Sequence, residues 1–192
     1  GGDDRLTIDA AQGTVNATGE ANVDLQGDVE GQPGQQNVAG GFDLESLVIY
    51  GADIDLANVR TSGNSIEVAG TNINLEGATY QTITSGDIRF SSLSTGRTEL
   101  RNDVLVNAGG NGLIQINGAV DVDNSASDRT LQLEANSGSV TVVGDIGSSR
   151  APDSVDIDGA SISVQSITTR DGSASGGNAI NLTADSGDLL VV

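Results

Sequence analysis

Histidine, cysteine, lysine, methionine and tryptophan are all absent from the 192 residues, and aromatics make up only 2%. Without His and Cys there is no Ser-His-Asp or Cys-His nucleophile, and no imidazole or thiolate zinc site. Without Cys there are no disulfides. An extended repeat protein can do without such staples, so this does not fix the compartment. With two Phe and two Tyr, a core cannot draw its volume from rings. It must be narrow and filled with Val, Ile, Leu and Ala. Only two prolines occur against 27 glycines, so turns fall to Gly, Asn, Asp and Ser. No apolar run comes near the roughly 20 residues of a membrane-spanning helix. Positive charge is scarce too. Eight basic residues, all Arg, face 27 acids for a formal net charge of −19. Such a surface repels phosphate backbones and anionic bilayers. It suits a protein kept soluble in a marine or salt-rich setting, where screening relieves self-repulsion.

What the chain does have is alternation. Residues 47–63 read LVIYGADIDLANVRTSG, and residues 155–172 read VDIDGASISVQSITTRDG. Leu47, Ile49, Ile54, Leu56 and Val59 match Val155, Ile157, Ile162, Val164 and Ile167 in step. Gly51-Ala52 matches Gly159-Ala160. Each copy is strand, corner, strand, with one face of each strand turned inward. The same spacing recurs in Leu6-Thr-Ile8, Val23-Asp-Leu25, Ile66-Glu-Val68, Ile73-Asn-Leu75, Val104-Leu-Val106, Ile114-Gln-Ile116, Val120-Asp-Val122, Leu131-Gln-Leu133 and Val140-Thr-Val142. Tyr80, Ile83, Ile88, Phe90 and Leu93 keep a looser apolar spacing. Polar loops are expected at 31–41, 124–128, 148–153 and 171–178. Low hydrophobicity with high net charge would permit disorder, but regular aliphatic alternation opposes it.

About nine coils of about 21 residues follow, a β-solenoid period. The whole of 1–192 is expected to be one solenoid segment. No stretch keeps helical apolar spacing over three turns. Inside a coil, a one-residue slip would turn Ile54 and Leu56 to water and bring Asp53 and Asp55 inside, so register is well specified. No coil can stand alone, because its neighbours supply the burial.

The coils LTIDAAQGTV, LQLEANSGSV and INLTADSGDL, with the linkers at 142–164 and 44–63, resemble repeats of filamentous-haemagglutinin-type adhesins of the two-partner secretion pathway. The likeness spans nearly the whole chain and is weakest over 79–101. It implies a single-stranded right-handed parallel β-helix, export to the bacterial surface, and a role as shaft or adhesive surface. The amino-terminal secretion domain of such proteins is not in this sequence. A start at Gly-Gly-Asp-Asp rather than Met suggests a piece of something longer.

Paired acids are the main candidates for chemistry: Asp53/Asp55, Asp121/Asp123 and Asp156/Asp158. Each pair stands at i, i+2 on the outward face of a strand, where a solvated acidic face is the expected reading and an active site the lesser one. Gly109-Gly-Asn-Gly112-Leu-Ile-Gln-Ile116 is similar to a calcium-binding nonapeptide, but Ile114 stands where Asp is required, so it reads as a turn. Asp121, Asp123 and Asp128 could hold Ca²⁺ weakly, though an acidic loop is the plainer reading. Thr82 and Thr84 form one Thr-x-Thr pair of the ice-binding kind, with no ladder to extend it.

The sequence therefore leads to a non-enzymatic shaft or filament segment of a secreted bacterial surface protein, with no catalytic, cofactor or metal residues assigned. Expected partners are further coils or other copies at the solenoid ends, and surface glycans or host and biofilm matrix. Nucleic acid and membrane insertion are not expected. The alternatives are a fibre subunit joined head to tail and a carbohydrate-acting β-helix enzyme. A concave cleft holding acids with an Arg would favour the enzyme, and an even acidic exterior the shaft.

Overall fold

A computed structural model describes residues 14–18, 23–25, 46–62, 64–93, 95–124, 128–170 and 179–192. The described strands come in chain order. The first are β1 (Thr14–Thr18) and β2 (Val23–Leu25). One coil then holds β3 (Ser46–Tyr50), β4 (Asp53–Leu56) and β5 (Val59–Thr61). The next holds β6 (Ile66–Gly70), β7 (Asn72–Leu75) and β8 (Thr79–Thr82). A third holds β9 (Ile88–Ser92), β10 (Arg97–Leu100) and β11 (Val104–Ala108). A fourth holds β12 (Ile114–Asn117), β13 (Ala119–Val122) and β14 (Thr130–Glu134). Above these come β15 (Ser139–Ile146), β16 (Ser154–Gly159), β17 (Ser161–Ile167), β18 (Ile180–Ala184) and β19 (Leu189–Val191). There is no helix among the described residues.

Each coil is a triangle, and each strand pairs in parallel with its counterpart in the coil below, the coil above or, inside the stack, both. On the first face Leu47, Ile66, Ile88, Ile114, Val140 and Ile162 stack in one inward column. On the second, Ile54, Ile73, Thr98, Val120 and Ile146 do the same. On the third, Val59, Tyr80, Val106, Leu133 and Ile157 do so. β15 is long enough to turn the corner from the first face to the second, with a register shift between Val142 and Asp145. That continuity joins both faces into one thirteen-stranded sheet, while the third face is a separate sheet of six.

The protein is thus an all-β parallel β-solenoid. From β3 to β17 it makes about five turns, of 19 residues (Leu47 to Ile66) to 26 (Ile88 to Ile114). The expected nine coils are not found. A coil takes three strands, not one pair around a corner, and the expected segments at 6–8, 31–41 and 171–178 lie outside the described residues. The two matching blocks also do not occupy equivalent positions. Leu47 and Ile49 lie on the first face, whereas Val155 and Ile157 lie on the third. A strand–Gly–strand unit fits either corner of the triangle, because both corners join strands of similar length. In contrast, LQLEANSGSV and INLTADSGDL keep phase: Leu131 and Ile180 are on the third face, Val140 and Leu189 on the first.

The core is one continuous cluster of Val, Ile, Leu and Ala with a single Tyr and a single Phe, nearly all with no exposed surface. Each buried aliphatic side chain contributes about 1.5–3 kcal/mol before chain entropy is counted. In the loosely spaced region the structure departs from expectation. Ile83 and Leu93 point out, 40% and 59% exposed, while Thr82 and Thr98 are fully buried. Tyr80 fills the third-face column and meets Phe90 edge-on at 5.6 Å. Its hydroxyl donates to the Leu56 carbonyl at 2.7 Å and accepts the Gly77 N–H at 3.0 Å, so the one buried phenol is satisfied. Thr82 Oγ1 likewise donates to Gly86 O (2.7 Å) and accepts from Gly109 N (3.1 Å). Corners are tight where coils touch. A Cβ at Gly96 would lie 1.7 Å from the Thr71 carbonyl oxygen, so only glycine fits.

Candidate functional site

The outward positions of the second face carry the densest polar chemistry. Strand alternation sets Asp53 and Asp55 of β4 outward, because Ile54 and Leu56 turn in. One coil up, Asn72 and Asn74 of β7 take the same two positions. Each Asn donates its amide N–H to the Asp below at 2.6 Å: Asn72 to Asp53, Asn74 to Asp55. A coil higher, β10 offers Arg97 and Glu99, and Arg101 follows at its end. Arg101 reaches down and across, with its guanidinium 2.6 Å from Glu76, 3.0 Å from Glu99 and 3.5 Å from Asp55. Burial works against its charge, but the bonds to Glu76 and Glu99 outweigh this and hold its pKa above the ordinary arginine value.

The fifth coil closes the upper end. After β15 the chain swings outward at Gly147 (φ +76°), where the left-handed conformation favours glycine. Residues 147–153 then lie over the second face. The N–H groups of Ser149 and Arg150 donate to Asp121 Oδ1 at 3.0 and 2.9 Å, and Arg150 O accepts from Val122 N at 3.0 Å. Asp121 is left only 2% exposed, with Arg97 at 3.4 Å from its other oxygen. Arg150 extends its guanidinium to Glu99 at 2.6 Å and also bonds the Asp123 carbonyl. The result is a groove of about 410 Å³ on the flank of the rod. Asp53, Asp55, Asn72 and Asn74 form its lower part, Arg97, Glu99 and Arg101 its middle, and Arg150 its upper wall. Asn74, although outward-facing, is only 8% exposed at its floor.

The three expected acid pairs thus meet different fates. Asp53/Asp55 enters the groove. Asp121/Asp123 is not a solvated pair, because a loop covers Asp121 and Arg129 binds Asp123 at 3.4 Å. Asp156/Asp158 lines a second, acidic groove of about 310 Å³ with Gln132, Glu134, Asn136 and Asn181. There Asn181 donates to Asp156 at 2.9 Å. Partial burial, then the charges of Asp185 and Asp156, push the Asp158 carboxyl above its ordinary value. Asp128 turns to Arg170 rather than to Asp121 or Asp123. The three acids considered for calcium therefore each face an arginine. Among the described residues no group of three or more acids is placed to hold a metal. Gly109–Gly112 closes as a turn, with Gly112 N donating to Gly109 O at 3.1 Å. Thr82 points into the core while Thr84 is outside, so that pair shares no flat face.

The groove residues missed in the sequence are Asn72, Asn74, Arg97, Glu99, Arg101 and Arg150. Asn72 and Asn74 did carry a signal, since they repeat the Asp53/Asp55 spacing 19 residues on. Arg150 carried none, because its reach to Glu99 spans 51 residues of sequence. Comparison with family models, curated proteins and solved structures finds no match for this chain.

Proposed function

We propose that the chain is a non-enzymatic shaft segment of a secreted bacterial surface protein of the filamentous-haemagglutinin kind, wound as a right-handed helix and working at the cell exterior. The observation that carries this reading is the unbroken aliphatic column enclosed by in-register parallel ladders. Such a stack resists bending because each inner coil is hydrogen-bonded to the coils on both sides. Its outward carboxylates are taken up by asparagines and arginines of neighbouring coils. That arrangement locks the coils together and keeps the exterior wet and acidic. The upper coil leaves Ile180, Leu189, Leu190 and Val191 between 41% and 54% exposed. In the fibre-subunit reading that face would be buried against another copy. Negative-stain images of purified protein test the reading. Slender rods of uniform width are expected, single for a shaft and joined end to end for the fibre subunit. Rounded particles would count against both.

The second reading, a carbohydrate-acting enzyme, is favoured by one observation. Asp53, Asp55 and Glu99 share a groove with three arginines, the kind of cleft that would favour such an enzyme over a bare shaft. Release of reducing ends from a polysaccharide panel would establish it. No release, with rods in the images, leaves the shaft.

A further inference from the structure

The second-face groove differs from the rest of the surface in charge. Its lining holds three carboxylates (Asp53, Asp55, Glu99) and three guanidiniums (Arg97, Arg101, Arg150), so they cancel, on a chain of net charge −19. We propose that it is a binding site for neutral oligosaccharide, so that the shaft itself carries an adhesive function; this rests on the shaft reading above.

The groove combines acceptor-only carboxylates, donor-only guanidiniums and two Asn amides that offer both. Many of these groups already bond one another, and a polyol, whose hydroxyls both donate and accept, can meet whichever donor or acceptor positions they leave open. Arg97 has most to give. Among the described residues its only ion pair is the 3.4 Å contact to Asp121, whose Oδ1 is already held by two backbone N–H groups, and its side chain is 37% exposed. An anionic glycan would have to approach through the field of the acidic rod. A small apolar ligand would meet almost no apolar lining. A peptide could not add as a strand, because the floor strands β4, β7 and β10 already pair on both sides. Coils repeat at about 4.8 Å, close to the advance of one sugar unit along an extended glycan. Successive side-chain rows can therefore meet successive sugars. The lining has no aromatic ring on which a sugar could stack, so single-site affinity is weak. Grip would come from many rods engaging one polymer, as effective concentration multiplies weak contacts.

Saturation-transfer NMR on the intact chain tests this, with gluco-, galacto-, manno- and xylo-hexaoses as probes. Oligogalacturonate of equal length and a Ser-Gly hexapeptide serve as comparison arms. Transfer from at least one neutral hexaose is expected, with less from either comparison. Arg97→Gln and, separately, Asp53→Asn should each weaken it about ten-fold, the effect of losing one charge-assisted hydrogen bond. The melting temperature serves as the control for folding. No transfer from any neutral hexaose, undiminished binding in both folded variants, or equal binding of oligogalacturonate or the peptide would overturn the site. Imaging keeps the two readings apart, since rods without binding leave the shaft standing and remove only the groove.

Discussion

Thr98 is the residue at which the core breaks its own rule. It occupies the second-face column between Ile73 and Val120, fully buried, and its hydroxyl has no hydrogen-bond partner among the described residues. A buried unsatisfied hydroxyl costs roughly 1–3 kcal/mol, and valine has nearly its shape. Thr98→Val should therefore raise the unfolding free energy by about 1 kcal/mol, read from the urea midpoint at unchanged slope. A lower midpoint would mean that the hydroxyl has a partner after all. Tyr80 is the opposite case, since its hydroxyl has two partners, and Tyr80→Phe should cost about 1 kcal/mol. Asp158 adds a pH effect. Its folded-state pKa is raised, so between its unfolded and folded values the native state holds more proton than the unfolded chain. That contribution to stability falls as pH rises through this window. Asp158→Asn should then stabilise most at neutral pH, with the gain shrinking as pH drops through the folded-state value. Thermal melts of both proteins across pH check this. A gain that grows on acidification would contradict it.

At the scale of elements, the loop at 147–153 is held to the second face by one carboxylate. Asp121 accepts two backbone N–H groups and faces Arg97. Asp121→Ala would leave the Ser149 and Arg150 N–H groups without their acceptor and Arg97 without its counter-ion, a loss of about 2 kcal/mol. Limited proteolysis should then cut first within 147–153, and cleavage spread evenly over the chain would show that the loop does not depend on Asp121. How the sequence predicted and mispredicted the fold follows from the same local logic. Strand positions such as Ile66–Val68 and Ile73–Leu75 were legible because alternation is local and each inward side chain is apolar. The coil count was not, since nothing local separates a two-sided coil from a three-sided one, and the block at 155–172 sits one face away from its match at 47–63. Thr82 and Thr98 were hidden because a polar residue at an inward position reads as outward. The lower half of the groove was legible as outward acids. Its upper half was not, because Arg150 comes from a loop that folds onto the coil below and reaches Glu99 two coils down.

On the scale of the whole molecule, charge and stacking work against each other. Twenty-seven acids and eight basic residues repel overall along a narrow rod, and the described arginines recover part of that cost. Arg101 alone joins Asp55, Glu76 and Glu99, and Arg150 ties the coil two levels up to Glu99. These groups are each about one-third exposed or less on the arginine and Glu99 side, so salt screens them less than it screens the open carboxylates. Because long-range repulsion decays over about 8–10 Å at physiological ionic strength, added NaCl should remove more repulsion than attraction. The melting temperature is therefore expected to rise from low to moderate salt. Arg101→Gln should lower it at every salt concentration and steepen the rise, since the variant adds net negative charge where three acids meet. A melting temperature that falls with NaCl would mean that the arginine network, not relief of repulsion, dominates the electrostatics of the stack. Equal slopes in the two proteins would mean that Arg101 acts through its packing rather than its charge.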